Sequence, residues 1–307
     1  MSDGPLPKVV SIVLNWNGGR DTAECLRSLA RLEGVDHEPL VVDNGSTDGS
    51  VELLRREFPN VRIVETGANL GFAGGVNRGI AAAVARGAEF LWLLNNDATV
   101  APDSLAALVA ALQRRPDAGF ACSKVLLADR PDVLWYAGGT CDTPTGFMRH
   151  HGQGEPDRGQ HDRVGDLAFA CGCSLLVRRR TVEAIGPMPE EYFLYWEDVA
   201  WSATARAAGW AIVFVPGSRV WHKVGASLAS SSTPGELLRA RYLMRNRILF
   251  HRRHRPDRLP GIVLRELVHT ARRTLSRATF RAALADWRGL VDGLCGRTGP
   301  IRFQPRR

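Results

Sequence analysis

Two acidic segments, far apart in the chain, carry the residue types most suited to catalysis. The first closes an apolar run, Phe90 to Leu94, which ends abruptly in Asn95-Asn96-Asp97. A buried strand that delivers a carboxylate to a sheet edge is a common way to hold a divalent metal against a phosphorylated ligand. A lone carboxylate suits Mg²⁺ or Mn²⁺, which share their coordination sphere with substrate phosphates. The competing reading is a strand-end turn in which Asp97 caps local backbone. The second segment is Glu197-Asp198, behind the aromatic run Tyr192-Phe193-Leu194-Tyr195-Trp196. Aromatic side chains exclude water and stack on sugar rings, and partial desolvation raises a carboxylate toward a working base. Its competing reading is a helix cap at Asp198. One acidic site for a metal and another for proton removal would make a transferase.

Three further segments carry polar residues that could serve a ligand. Val42-Asp43-Asn44-Gly45-Ser46-Thr47-Asp48 follows a strand and opens a helix, so Asp43 could accept hydrogen bonds from a base or ribose. Turn chemistry alone explains Asn44, Gly45 and Ser46. Asn69-Leu70-Gly71-Phe72-Ala73-Gly74-Gly75-Val76-Asn77 places glycines at a helix start, where backbone N–H groups can approach phosphate oxygens. This is neither a P-loop nor a dinucleotide fingerprint, and the first strand ends in Asn15-Trp16-Asn17-Gly18-Gly19. His222 closes a strand-like run after Trp221. A lone histidine is more often structural than a ligand.

Alternating elements must position these groups. Val9–Leu14, Pro39–Asp43, Val61–Val64 and Glu89–Leu94 read as buried strands. Between and after them, Thr22–Leu32, Ser46–Phe58, Gly71–Arg86 and Pro102–Arg114 have helical spacing, with Ser46 as the cap of the second. This rhythm predicts an α/β fold with a parallel, doubly wound sheet. Phe120–Leu127, Leu167–Val177 and Ala211–Val215 continue as strands, and Asp198–Ala208 as a helix. Asp129–Asp166 reads as a long irregular excursion. From Pro234 arginine becomes dense. A final helix is predicted over Ile262–Ala282, with Leu264, Leu267, Val268, Ala271, Leu275, Ala278 and Ala282 on one stripe. The expected division is a catalytic domain over 1–230, its nucleotide half about 1–120 and its acceptor half about 121–230, then a basic helical extension over 231–307.

The 307 residues carry a formal net charge of +8, which suits nucleic acid, an anionic membrane or a phosphorylated substrate. No apolar stretch approaches the length of a bilayer span, and no targeting segment is legible. The six cysteines form no C-x-x-C pair and are expected to be reduced thiols of a cytoplasmic protein. Two other functions are weighed. A nucleotidyltransferase would carry a basic glycine-rich loop after the first strand, where Arg20 is the lone basic residue. A nucleic-acid-binding module has only the arginines of 239–281 in its favour and none of the common signatures, so no nucleic-acid partner is expected.

Taken together and in order, these segments resemble glycosyltransferase family 2, with the GT-A fold, over roughly Val9 to His254. The carrying elements are 42–48, 69–77, Leu-Asn-Asn-Asp at 94–97, Cys-Gly-Cys-Ser-Leu-Leu-Val-Arg-Arg at 171–179, Phe-Leu-Tyr-Trp-Glu-Asp-Val at 193–199 and Val-Trp-His at 220–222. The likeness is greatest to rhamnosyltransferase-like bacterial members that build surface polysaccharides and glycolipids. It implies an inverting, metal-dependent enzyme. Its donor would be a nucleoside-diphosphate sugar, with rhamnose favoured, and its acceptor a glycan or lipid-linked hydroxyl. Asp198 would be the base with Glu197 beside it. Asp97 and His222 would hold the metal. Asn15, Asp43, Asn69, Gly71, Gly74, Asn77, Asn95 and Asn96 would serve the donor. Cys171, Gly172 and Trp196 would line the acceptor side. Asn95 stands where the family's D-x-D motif has its first Asp. The basic extension would either pack on the catalytic domain or bind the inner face of the plasma membrane as a peripheral anchor.

Overall fold

The chain, as a computed structural model, is described over residues 8–141, 148–224, 234–275 and 279–301. Continuous apolar runs form its central strands. β1 (Val9–Asn15), β2 (His37–Asp43), β3 (Arg62–Glu65) and β4 (Phe90–Asn95) pair in parallel in the order β3, β2, β1, β4. Helices α1 (Gly19–Leu29), α2 (Ser50–Glu57) and α3 (Gly71–Ala85) make the crossovers. This is the doubly wound half expected from the alternation.

The sheet then departs from simple succession. After the short β5 (Ala98–Val100) and α4 (Ser104–Arg114) comes β6 (Ala118–Leu127). It does not pair with β4. Instead β11 (Ser174–Arg178) inserts between them, antiparallel to both. β12 (Ala211–His222) runs parallel to β6, with a register shift between Val215 and Arg219. Its last residues turn onto β5, pairing His222 with Ala98. The expected excursion at 129–166 is partly ordered: β7 (Leu134–Tyr136) pairs with β6, β8 (Gly139–Cys141) with β9 (Met148–His150), and β10 (Gly165–Asp166) with β12. Helix α5 (Arg179–Ile185), a 3₁₀ turn (Glu190–Tyr192) and α6 (Glu197–Ala207) lie between β11 and β12.

The second helix begins at Ser50, not Ser46, behind Gly49 with φ +82. Ser46 is a hub instead: its hydroxyl receives the Asn17 N–H and the Asn15 amide. The C-terminal region forms α7 (Pro234–His254), α8 (Leu259–Thr274) and α9 (Phe280–Leu294), so the single helix expected over Ile262–Ala282 is two. Its inward face is Ile262, Glu266 and Thr270, while Leu264, Val268 and Leu275 of the predicted stripe are exposed. The polar residues win the interior because Arg247, reaching from α7, pairs with Glu266 at 2.8 Å. Met244, Ile248, Ile262 and Leu290 form a small separate core, whereas Leu249 and Phe250 plug into the main one. The expected boundary at 230/231, and Ala278 of the stripe, lie outside the described residues.

Candidate active site

The chain brings the two acidic segments to the same edge of the sheet. β4 ends at Asn95, whose N–H donates to the Cys173 carbonyl at 2.9 Å, just before β11 starts. The next residue back, Gly172, donates its N–H to Asp198 Oδ2 at 2.9 Å. Two adjacent residues, Gly172 and Cys173, therefore link the ends of both segments.

On the β4 side, Asp97 and His222 are both nearly buried, with Asp97 Oδ1 3.0 Å from His222 Nε2. The pairing of β5 with the end of β12 sets this distance, since Ala98 and His222 are register partners. The Asn95 amide lies 3.2 Å from the same ring nitrogen. Trp135 packs edge-on against the imidazole at 4.9 Å, and Nδ1 is buried with no protein partner. Two ligands at adjacent corners of a sphere with bonds of about 2.1 Å stand about 3.0 Å apart. One imidazole nitrogen and one carboxylate oxygen therefore fit a hard divalent cation that takes its other ligands from a diphosphate. Among the described residues no third His, Cys, Asp or Glu completes an all-protein cage.

On the α6 side, Glu197 and Asp198 are the first two residues of the helix. Trp196, with φ +76, is the N-cap, so Asp198 is not the cap. Glu197 is buried, and its Oε2 has no hydrogen-bond partner. Burial first, and then the neighbouring Asp198, push its carboxyl well above the usual carboxylate range. Asp198 is raised as well, by burial, but the N–H groups of Gly172 and Val199 oppose the shift by stabilising its anion. The two N–H bonds favour the anion of Asp198, whereas Glu197 Oε2 has no such donor. A half-buried carboxylate of raised pKa is suited to accept a proton.

The donor-side residues form a connected network. Asn15, at the end of β1, donates to Asp43 Oδ1 at 2.8 Å and accepts from Thr22 Oγ1 at 2.7 Å. Asp43 Oδ2 accepts from the Ser46 N–H at 3.0 Å. Asn96 reaches the same corner, donating to Thr22 Oγ1 at 3.1 Å. Nearby, a cleft of about 280 Å³ opens between the starts of α1 and α2, lined by Asn17, Gly18, Arg20, Asp48 and Gly49.

Several expected ligand contacts are spent inside the protein. Asn77 is clasped to the loop before the acidic pair: its amide bonds Met188 O and Glu190 Oε1, and its carbonyl accepts from Met188 N. The glycine segment packs closely on the same loop and on β1. Gly71, at φ +77, donates its N–H to Asn69 Oδ1, and a Cβ there would stand 2.3 Å from Phe193 O. Phe72 N–H donates to that carbonyl at 2.7 Å. A Cβ at Gly74 would meet Leu70, and one at Gly75 would meet Leu14 of β1. Asn69 in turn accepts from Asn44, which ties the end of β2 to this turn.

The acceptor-side expectations divide. Gly172 reaches the site through its N–H. The Cys171 side chain is buried beside it, and its thiol is pushed well up, by burial and by Asp198. Cys25, Cys122 and Cys173 are likewise buried thiols. The rings of the aromatic run pack against the C-terminal helices. Trp196 packs on Phe250 at 5.2 Å, Phe193 stacks on Tyr242 at 5.7 Å, and Tyr195 lies under Arg239. The rings anchor the loop to α7. Sequence reasoning missed what waits there: Arg245 and Asn246, both buried, grip the loop carbonyls. The polar run Arg245-Asn246-Arg247 inside the otherwise apolar stretch Tyr242–Phe250 was the available signal.

Comparison with known proteins gives the family and the fold. A profile of glycosyl transferase family 2 matches residues 11–186. An N-acetylglucosaminyl-diphospho-decaprenol L-rhamnosyltransferase of Mycobacterium tuberculosis is 33% identical over 219 residues, 64% of this chain and 70% of that protein. Mannosyltransferase PcManGT from Pyrobaculum calidifontis, in complex with GDP-Man and Mn²⁺, superposes with a TM-score of 0.58 at 17% identity, over 94% of this chain and 88% of that one. S. aureus TarS 1-349 with UDP gives 0.55 at 14%, over 94% and 92%. GalNAc-T7 with UDP, GalNAc and Mn²⁺ gives 0.61 at 16%, over 81% of this chain but 48% of that one, so this chain spans about half its length. At such identities the structures speak for the fold, which is GT-A. With the match over residues 11–186 covering more than half of the chain, this protein belongs to glycosyl transferase family 2 and is a glycosyltransferase.

Proposed function

We propose that the enzyme transfers rhamnose, with inversion, from a nucleoside-diphosphate donor to a sugar hydroxyl on a lipid-linked diphosphate acceptor. The observation that carries this reading is the pairing of Asp97 with His222 beside a separate, proton-poised Glu197-Asp198 on the same sheet edge. The choice of sugar and acceptor follows the mycobacterial relative, whose name gives both.

In this reading Asp198 accepts the proton of the acceptor hydroxyl. The freed oxygen attacks the anomeric carbon from the face opposite the diphosphate. The bond from that carbon to the diphosphate oxygen breaks, and the electron pair leaves with the diphosphate. A single displacement inverts the centre and needs no covalent enzyme intermediate. Asp97 and His222 would hold a divalent metal, Mg²⁺ or Mn²⁺, which when bound neutralises charge on the leaving diphosphate. Asn95 stands beside them as a neutral amide and adds no charge to the site. The Asn15, Asp43 and Asn96 corner faces the nucleotide. Gly172 holds Asp198 in its charged form until the acceptor arrives.

The extension suits an anionic bilayer surface, where a lipid-linked acceptor would be met. Residues 234–307 contain eighteen arginines against five acidic residues. Leu264, Val268, Leu275, Phe280, Leu284, Val291 and Leu294 project from α8, its C-cap and α9 into solvent. Exposed arginines, among them Arg272, Arg281 and Arg288, lie between them. Among the described residues no helix is long and apolar enough to cross a membrane.

Thermal stabilisation by a panel of nucleotide sugars, with and without Mn²⁺ or Mg²⁺, tests the donor assignment, because a bound ligand raises the unfolding temperature according to its affinity. Thymidine-diphosphate rhamnose with metal is expected to stabilise most. A clear preference for a different sugar would overturn the rhamnose assignment, and no metal effect with any sugar would overturn the metal.

A further inference from the structure

The loop that delivers the acidic pair holds three non-glycine residues at positive φ within four positions: Phe193 at 65°, Tyr195 at 68° and Trp196 at 76°. Phe193, with ψ −54, is the centre of a γ-turn closed by the Leu194 N–H on Tyr192 O at 2.8 Å. This form of γ-turn is rare and strained, and non-glycine residues at positive φ add to the strain. Surrounding structure must therefore over-determine the loop.

That structure is α7. Asn246 directs its amide at three loop carbonyls, Tyr192 O at 3.0 Å, Leu194 O at 2.8 Å and Tyr195 O at 2.8 Å. Arg245 adds a bond to Tyr192 O at 2.8 Å, so that one carbonyl receives the γ-turn N–H, the guanidinium and the amide. Arg245 also donates to Asn246 Oδ1 at 2.8 Å, which orients the amide, and to Gly299 O at 2.6 Å. Both side chains are essentially buried, at 1% and 0% exposure. Those three bonds of Arg245 go to carbonyl and amide oxygens and none to a carboxylate. A guanidinium buried on such terms is unfavourable unless its fork of donors is needed where it stands. The opposite side of the loop rests on α3, through Phe72 N–H on Phe193 O.

We propose that Arg245 and Asn246 are positioning residues for catalysis: they hold the strained 192–196 turn so that α6 begins with Asp198 at the Gly172 N–H. This rests on Asp198 being the base. It makes the C-terminal helices part of the catalytic apparatus and not only an appendage. It also couples the base to the donor side, because the same turn is pinned to the start of α3.

The test compares wild type with Asn246→Asp, which keeps the volume but turns an acceptor toward three carbonyls, and with Arg245→Lys, which keeps the charge but loses the fork. Turnover and donor KM are measured with thymidine-diphosphate rhamnose, Mg²⁺ and a polyprenyl-diphosphate N-acetylglucosamine. Hydrogen exchange is followed over residues 190–200. Displacement of a catalytic group by about 1 Å can lower turnover by about 100-fold, so a loss of that order is expected for Asn246→Asp, with donor KM nearly unchanged. Arg245→Lys should show the same pattern more mildly. Exchange should quicken in 190–200 while the central strands stay protected. Near-normal turnover in both folded variants overturns the proposal. So does a loss shared by turnover and donor KM with faster exchange throughout the chain, which marks a general structural role. Asp198→Asn is assayed alongside. If it retains activity, the base assignment fails, and the exchange data still decide whether Arg245 and Asn246 hold the turn.

Discussion

The Gly172 N–H donates to Asp198 Oδ2 at 2.9 Å, and this one bond joins the turn before β11 to the start of α6. It also favours the carboxylate over the acid, although burial pushes the other way. Asp198→Asn should therefore keep the fold and donor binding but lose the proton acceptor. Loss of a general base lowers turnover by roughly 10²–10⁴-fold. Steady-state kinetics, with calorimetry for the donor, checks this; full turnover in the variant would refute the assignment.

Asp97 and His222 should act as one unit on metal dependence. His222→Ala is expected to raise the Mg²⁺ or Mn²⁺ concentration needed for half-maximal turnover, and Asp97→Ala to abolish metal-stimulated turnover. Titrating activity against metal for each variant and the pair gives the answer. Persistent metal stimulation in Asp97→Ala would place the metal elsewhere. The double variant should be no worse than Asp97→Ala, since residues sharing one ligand are non-additive.

The Glu197 carboxyl lies well above its ordinary value of 4.5, raised by burial and by Asp198. The folded chain therefore keeps a proton that the unfolded chain releases as pH passes 4.5, and stability falls as pH rises from there toward the folded-state value. Glu197→Gln removes that dependence. Its melting temperature should match wild type in acid and exceed it increasingly toward neutrality. Thermal unfolding from about pH 4 to about pH 8 reads this directly. An advantage that shrinks with rising pH would contradict it. Because Asp198 is raised too, the acid limb of turnover should fall at a higher pH than its ordinary 3.8.

Membrane contact through α8 and α9 should be weak and sensitive to salt, because it combines scattered apolar side chains with arginines. Co-sedimentation with anionic vesicles at low salt is expected, with loss in high salt and on zwitterionic vesicles. Leu284→Asp with Val291→Asp should reduce it without lowering turnover on a soluble acceptor analogue. No sedimentation at low salt would end the idea.

The residue string by itself determined the first half of the molecule. Continuous apolar runs separated by helical spacing leave a parallel sheet as the arrangement that buries them all, and β1 to β4 form such a sheet. Asp97 stood out because it ends such a run, Asp198 because it follows an aromatic segment, and His222 only through the family resemblance.

Only the tertiary structure decided what the remaining polar residues do. Asn77 and Gly71 look like ligand contacts in a linear reading, yet they bind a loop more than a hundred residues away. Trp196 looks like a sugar platform, yet its ring is taken by Phe250. The stripe on α8 looks like a core face, yet the buried Glu266, paired with Arg247, claims the interior instead. Periodicity records which residues share a face, but not which partner covers that face. An amide or guanidinium has the same composition whether it meets a ligand or a strained turn, so Arg245 and Asn246 acquired their role only when α7 folded back on residues 192–196.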